Sequence, residues 1–492
     1  MKIVHFTREY RGLGEAGGIK DVVTDLATSL VTYSNQVMVF TPYYGFLKSL
    51  IHQKTTMAWQ GRIFQWEAMI HRLEIDGVIL FLVETPWFNK FEGVYTYTKN
   101  EAAKGLGVEG NGYEEEVQRN LSFQRAIVVA FPELVKFADA IHAHDAHTAL
   151  IGGFVSAKTK ILTIHNAGYA YQQNIKNQNI LFEFFPELEN SWQTFLLGDA
   201  WSPLLYAFTH SRVFTVSPYY AQEIMRENGF EETGPLGPEI VKHGYNVKGI
   251  FNGLNFERLK PKQDELLFEL RQNWQNQILN RTEFKSKAKE LFIKKIEENF
   301  FMGSLPNREI PWFSFHARLT RQKGVDDVLD ILDQFNSLES QLVIMGQGEQ
   351  FYREQLETSA KPGSRLCYLP FYNEELLHYF LAASDFFMMP SYFEPCSLTD
   401  LMAMFYGAVP LVRKTGGLQK VRQGREGFVF SAPQTLWDVV QDALEVFQKN
   451  PTRIDEMAYQ GLIRIKDFDI MEIVQDVWLR IYAGLEPKRE IW

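Results

Sequence analysis

Two doubly wound α/β domains in series are the fold this chain predicts, and three observations predict it. The 492 residues exceed the roughly 250 to 300 at which one hydrophobic core stops growing. Short runs rich in Val, Ile and Phe alternate with helix-period stretches, in one series before Lys248 and a second from there on. The polar and glycine-rich motifs follow the apolar runs, where open α/β sheets bind ligands, so a cleft between the two domains is expected.

In the first series the strands are Ile3–Phe6 (IVHF), Gln36–Phe40 (QVMVF), Ala140–Asp145 (AIHAHD), Lys160–His165 (KILTIH) and Ser211–Ser217 (SRVFTVS), with a helix through Asp21–Leu30. Such apolar runs suit parallel strands buried on both faces. The second series begins at Lys248 with GIFNG. It continues through WFSFHARL (Trp312–Leu319), a helix at Val325–Phe335, QLVIMGQG (Gln341–Gly348), LCYLPF, DFFMMPS (Asp385–Ser391) and VPLVRKTGG (Val409–Gly417). The charged stretch 263–299 reads as solvated helices placed before that sheet resumes. The predicted domains are 1–247 and 248–466, with a last helix over 467–492.

Composition narrows the function. Hydrophobic residues at 46% and charged ones at 22% describe a folded globular chain. A net charge of -10 leaves no electrostatic footprint for nucleic acid or an anionic membrane. Cys367 and Cys396 are too few for a disulfide framework or a zinc site, and the apolar run of MKIVHFTREY is too short for a signal peptide. No stretch of about 18 uncharged apolar residues spans a bilayer, so a reducing, cytoplasmic setting is expected.

Several motifs carry chemistry. In Ser391–Thr399 (SYFEPCSLT), Pro395 pushes Glu394 out of the α region and turns its carboxylate outward at the sheet edge; the alternative is a plain turn residue. Ser397 and Thr399 add hydroxyls and amides at a helix start. Arg318 and Lys323, in a loop closed by Gly324, offer a guanidinium and an ammonium for a leaving diphosphate, or else form a solvated basic turn. Gly346, in MGQG, suits close approach of a nucleotide or a tight turn equally. The loop GLGEAGGIKD (Gly12–Asp21) has the glycines of an anion cradle at Gly17 and Gly18, yet Glu15 sits within it. The cluster His142-Ala-His144-Asp145-Ala-His147 fits hydrogen bonding to a sugar, or strand-end packing, better than it fits a metal. Asp467-Phe-Asp469 mimics a metal-binding pair but reads as a helix cap.

Taken in order, HAHDAHTAL, TIHNAGY, TVSPYYAQEI, FNGLN, ARLTRQKG, FEPCSL and YGAVPLVRKTGG resemble the bacterial glycogen synthase and plant starch synthase family along nearly the whole chain. The resemblance implies the GT-B fold, two Rossmann-like domains with a final helix crossing back to the first, here DFDIMEIVQDVWLRIYAGL. It implies an enzyme that extends an α-1,4-glucan or maltooligosaccharide from ADP-glucose or UDP-glucose, with retention and no metal or other cofactor. Carried across, Glu394 binds the donor glucose, and Arg318 and Lys323 neutralise the departing diphosphate. His165 lies against the transferred sugar, and Asp145, His144 and Asn166 lie on the acceptor side. Gly17, Gly18, Gly346, Cys396, Ser397, Leu398 and Thr399 hold the donor, with Tyr372 on its base.

The chain departs from the family pattern at Glu15 (Lys in the family), Ala146 (Trp), Asn255 (Asp), Ser397 (Gly) and Lys420 (Asp). Glu15 near a diphosphate needs compensation from Arg8, Arg11 or Lys20. Two alternatives remain beside a glucan synthase: a GT-B transferase with a different sugar acceptor, and a non-catalytic glucan-binding homologue.

Overall fold

The computed structural model describes residues 1–47, 54–226, 233–259 and 265–488. It divides into two compact units, Met1–Gly253 with Ile470–Trp492, and Leu254–Asp469.

The first unit is built on strands β1 (Lys2–Phe6), β2 (Gln36–Pro42), β3 (Thr56–Ile63), β4 (Trp66–Ile75), β5 (Val78–Glu84), β6 (Ala138–His144) and β7 (Ala157–Ile164). A small hairpin of β8 (Leu196–Leu197) and β9 (Ala200–Trp201) precedes β10 (Arg212–Thr215) and β11 (Lys248–Gly249). Outside the hairpin they form one sheet in the order β11-β10-β7-β6-β1-β2-β5-β4-β3. β1 lies between β2 and β6, parallel to both, so the strand order reverses direction there. The helix Ile19–Thr32 packs by Val23, Leu26, Ala27 and Leu30, a stripe of helical period that also explains why DVVTDLATSL reads as a helix.

Two boundaries differ from the sequence reading. Lys248 and Gly249 pair in parallel with Phe214 and Thr215, so the strand expected to open the second domain is the edge of the first sheet. An apolar run specifies a strand but not which sheet it joins, and that choice was made by tertiary pairing. The last helix starts at Ile470 and packs in the first unit, where Tyr33 Oη donates to the Met471 carbonyl at 3.1 Å.

In the second unit β12 (Met302–Gly303), β13 (Trp312–His316), β14 (Gln341–Met345), β15 (Leu366–Leu369), β16 (Phe386–Met389), β17 (Val409–Arg413) and β18 (Phe428–Phe430) form a sheet ordered β12-β15-β14-β13-β16-β17-β18. Only β12 runs antiparallel. Here the order reverses at β13 and β16, which are neighbours.

The charged stretch 263–299 is less solvated than its composition predicts; its first two residues lie outside the described ones. In the helix Arg281–Glu297, Arg281, Lys285 and Lys289 are buried. Lys289 Nζ lies 2.7 Å from Asp385, and Lys285 donates to the carbonyls of Ala382 and Tyr406 at 2.9 and 2.8 Å. Burial alone would raise the Asp385 carboxyl's pKa, but Lys289 and Arg281 lower it below its ordinary value. Long cationic side chains reach buried acceptors here, a pairing that a charge count along the sequence does not reveal.

Candidate active site

The second unit gathers its charged groups at the β13/β16 reversal, the place where doubly wound sheets hold ligands. After β13 the turn Arg321–Lys323 is closed by Gly324 at φ +71. A Cβ on Gly324 would lie 2.3 Å from the Pro390 carbonyl oxygen, so only glycine lets this turn approach the loop after β16. Lys323 Nζ donates to Glu394 Oε2 at 2.6 Å, and Ser391 Oγ donates to the same oxygen at 3.3 Å. Glu394 is buried, so this ion pair sits where electrostatic interactions are stronger than in water. Arg318, between β13 and that turn, is exposed, and its side chain makes no hydrogen bond or ion pair with any described residue. A guanidinium not committed to the protein is available to an anion.

Beyond Glu394 the loop is strained. Ser397 adopts φ +59, a left-handed conformation that costs a non-glycine residue about 1 kcal/mol or more. Its Oγ accepts from the Thr399 amide at 3.2 Å, which occupies that amide. The amides of Ser397 and Leu398 have no partner among the described residues. Cys396 is buried and is in no disulfide.

Tyr372 is half-exposed and stacks on His316, with ring centroids 5.7 Å apart and planes 21° apart. Burial lowers the His316 pKa to about 4, so the neutral ring donates from Nδ1 to the Met345 carbonyl at 2.8 Å. The sequence reading missed His316; its place at the end of an apolar strand, two residues before Arg318, was the available signal. Gly346 has a structural explanation. Its amide donates to the Leu369 carbonyl at 3.0 Å, and a Cβ there would meet the Ala317 carbonyl oxygen at 2.3 Å. That amide is therefore not free for a nucleotide.

The first unit differs from expectation at its glycine loop. Glu9, fully buried, accepts from the amides of Ala16 at 2.9 Å and Gly17 at 2.6 Å, and from Tyr95 Oη at 2.9 Å. The expected cradle at Gly17 is thus filled by the protein's own carboxylate. Gly18 begins the helix Ile19–Thr32, with open space where a Cβ would stand. Glu15 accepts from the Gly12 amide at 2.5 Å and from Lys20 Nζ at 2.7 Å. Lys20 supplies the compensation the sequence required, since Arg11 pairs with Asp21 and Asp25 and Arg8 with Glu116.

Asp145 lies at the end of β6 with φ +61, and its Oδ1 accepts from the amides of His165 at 2.6 Å and Asn166 at 3.3 Å. Burial raises its pKa to about 7 despite those two bonds. The histidines form a buried line. His144 joins His5 at 3.1 Å and His165 at 2.9 Å, and His142 joins Tyr482 Oη at 2.8 Å and Thr163 Oγ1 at 2.7 Å. Burial lowers the pKa of His5 and of His165 to about 3, which leaves both rings neutral. His144 is an internal link, so the expected acceptor-side contact does not hold for its ring. Nitrogens of His5, His142 and His144 lie within 4.8 Å of one another, but both ring nitrogens of His142 and of His144 are engaged in the bonds above. Ala146 is buried. Asp467 pairs with Arg464 at 2.7 Å.

A family model described as the starch synthase catalytic domain matches residues 2–236, and one described as glycosyl transferases group 1 matches residues 297–461. Glycogen synthase 1 of Synechocystis sp. is 32% identical, over 100% of this chain and 96% of its own length. The chain belongs to the glycogen and starch synthase family. A second member, the glycogen synthase of Exiguobacterium sibiricum, is 27% identical with all of both chains covered. The catalytic domain of starch synthase IV from Arabidopsis thaliana, solved with ADP and acarbose, shares the fold at a TM-score of 0.76 and 23% identity, covering 98% of this chain and 99% of that one. An Anabaena protein solved with UDP-glucose superposes less closely, at a TM-score of 0.52 and 15% identity, with 97% and 98% covered. The family and its GT-B fold make this chain a glycosyltransferase that uses a nucleotide sugar. Among the described residues no helix is long and apolar enough to cross a membrane.

Proposed function

We propose that this family member transfers glucose, with retention of anomeric configuration, from ADP-glucose or UDP-glucose to the non-reducing end of an α-1,4-glucan. The observation that carries the reading is the group at the β13/β16 reversal: Glu394 held by Lys323 at 2.6 Å, with Arg318 uncommitted. In the resting protein the carboxylate occupies the ammonium. When donor binds, Glu394 takes hydroxyls of the glucose, and Lys323 and Arg318 face the diphosphate. Negative charge grows on that diphosphate as the glycosidic bond breaks, and preorganised cations stabilise it more in the transition state than in the ground state.

The free amides of Ser397 and Leu398 add donors for a phosphate oxygen, and Tyr372, backed by His316, offers a flat face to the base. His165 and Asp145 belong to sugar handling. The neutral His165 ring and its fixed backbone present hydrogen-bond partners without adding a charge that would compete with the developing oxocarbenium. No metal is assigned a step, because the cations of this loop supply the neutralisation.

The test is incubation with glycogen and either ADP-glucose or UDP-glucose, measuring nucleoside diphosphate released and glucose incorporated, with Glu394→Ala as control. Incorporation from one donor, lost in Glu394→Ala, is the expected result and identifies the base. Diphosphate release without polymer growth would replace the glucan by another acceptor. Wild-type rates in Glu394→Ala would remove that residue from the mechanism.

A further inference from the structure

The substitution of Lys420 where the family has Asp places an ammonium in the interior, and its surroundings explain what it does. Lys420 and Asp400 are both fully buried, with Nζ and Oδ2 2.7 Å apart. The ammonium also lies within hydrogen-bonding distance of three backbone carbonyls, Cys396 at 2.6 Å, Gly417 at 3.0 Å and Ser397 at 3.2 Å, so its three N–H donors are shared among these and the Asp400 carboxylate. Two of these carbonyls belong to the loop that carries Glu394. The third belongs to a turn whose own amide, on Gly417, donates to the Glu394 carbonyl at 2.8 Å. A Cβ on Gly417 would lie 2.3 Å from the Cys396 carbonyl oxygen, so turn and loop are packed backbone to backbone.

Peptide geometry links these contacts to the ligand side of the loop. In a trans peptide the N–H points opposite to the C=O. With the Cys396 and Ser397 carbonyls turned toward Lys420, the amides of Ser397 and Leu398 point the other way, and these are the two amides without a partner among the described residues. Ser397 sits at φ +59, and such strain persists only where the surroundings hold it. A buried ion pair gives little stability compared with an apolar pair of similar volume, so stability alone does not account for it.

We propose that Lys420, neutralised by Asp400, is a positioning residue that clamps the Glu394–Thr399 loop and aims the Ser397 and Leu398 amides at the donor's diphosphate. The proposal rests on the donor-site reading given above and extends it to a residue that touches no substrate.

The test compares two double variants with the wild type. Lys420→Met with Asp400→Leu removes the charges and the N–H donors together. Lys420→Gln with Asp400→Asn keeps N–H donors beneath the loop. Calorimetric binding of ADP and UDP, thermal melting, and the KM values for donor and glycogen are measured for each. The apolar pair is expected to melt close to wild type yet bind the nucleoside diphosphate on the order of tenfold more weakly, with a raised donor KM and an unchanged glycogen KM. The amide pair is expected to recover binding to within about threefold of wild type. Wild-type affinity in a folded apolar pair overturns the clamp. If the apolar pair does not fold, a tenfold loss in the folded amide pair overturns it equally. Failure of the wild type to bind either diphosphate would sink the donor-site reading instead. In that event hydrogen exchange at Ser397 and Leu398, faster in the variants if the clamp exists and unchanged if it does not, decides the proposal alone.

Discussion

The glycine loop of the first unit and the Glu394 loop of the second both follow a central strand of a doubly wound sheet, and the buried side chains that bind their backbones are of opposite sign. Under the first lies a carboxylate, Glu9, which takes the amides of Ala16 and Gly17. Under the second lies an ammonium, Lys420, which takes the carbonyls of Cys396 and Ser397 and leaves amides unspent. An internal anion satisfies a loop's N–H groups, whereas an internal cation satisfies its C=O groups and leaves the N–H groups for a ligand. A glycine-rich loop after a strand is therefore an anion site only when the protein has not filled it with its own anion. Asp145 extends the first pattern, since its carboxylate is spent on the amides of His165 and Asn166.

The contrast is sharpest at Lys323. Lys323→Ala is expected to lower kcat with the donor by about 100-fold or more, because one preorganised electrostatic group is lost where charge develops. A loss of only a few-fold would mean that the second unit's loop is no better supplied with useful charge than the first.

Glu9→Gln tests the other side. A neutral amide cannot accept two backbone N–H bonds and the Tyr95 hydroxyl as the carboxylate does, so unfolding by denaturant is expected to show a loss of about 2 kcal/mol. Nucleoside diphosphate affinity should not change. Tighter binding in this variant would show that Glu9 competes with the donor for the loop, which would break the comparison.

Asp145→Asn reads the first pattern through pH. The Asp145 carboxyl, ordinarily near 3.8, is raised to about 7 by burial. Between those values the native state holds a proton that the unfolded chain has released, so this group's contribution to stability falls as pH rises and is flat above the window. Stability measured from about pH 4 to 7 should therefore slope more steeply upward in Asp145→Asn than in wild type. Equal slopes would mean that the carboxyl titrates normally.

The smallest effect belongs to Glu15. Its pairing with Lys20 is exposed, so Glu15→Gln is expected to change stability by less than about 1 kcal/mol and donor KM by less than about threefold. A larger fall in KM would indicate that Glu15 restrains a cation the donor uses.

Much of this was legible in the residues. The two strand–helix series, and the placing of charged motifs at the ends of β6, β7, β13 and β16, follow from apolar periodicity and from Gly and Pro placement. The filling of the cradle at Gly17, the engagement of the Gly346 amide and the choice of packing over sugar contact for the His144 ring did not follow. Glu9, which fills the cradle, lies eight residues before Gly17 but is itself held by the distant Tyr95, and Gly346 and His144 meet Leu369, and His5 with His165, far along the chain. The solvated reading of the stretch 263–299 failed for the same reason, since Lys289 meets Asp385 from another element.

The amino-acid sequence by itself determined the alternation of strands and helices, the family, and the identity of the charged groups at the second sheet's reversal. Those depend on local patterns of side chains and on motifs a few residues long. Tertiary structure alone decided which sheet Lys248 and Gly249 join, which loop amides are free, and what Lys420 holds. Backbone donors and acceptors are identical at every non-proline position, so their availability is set only by what the fold brings to meet them.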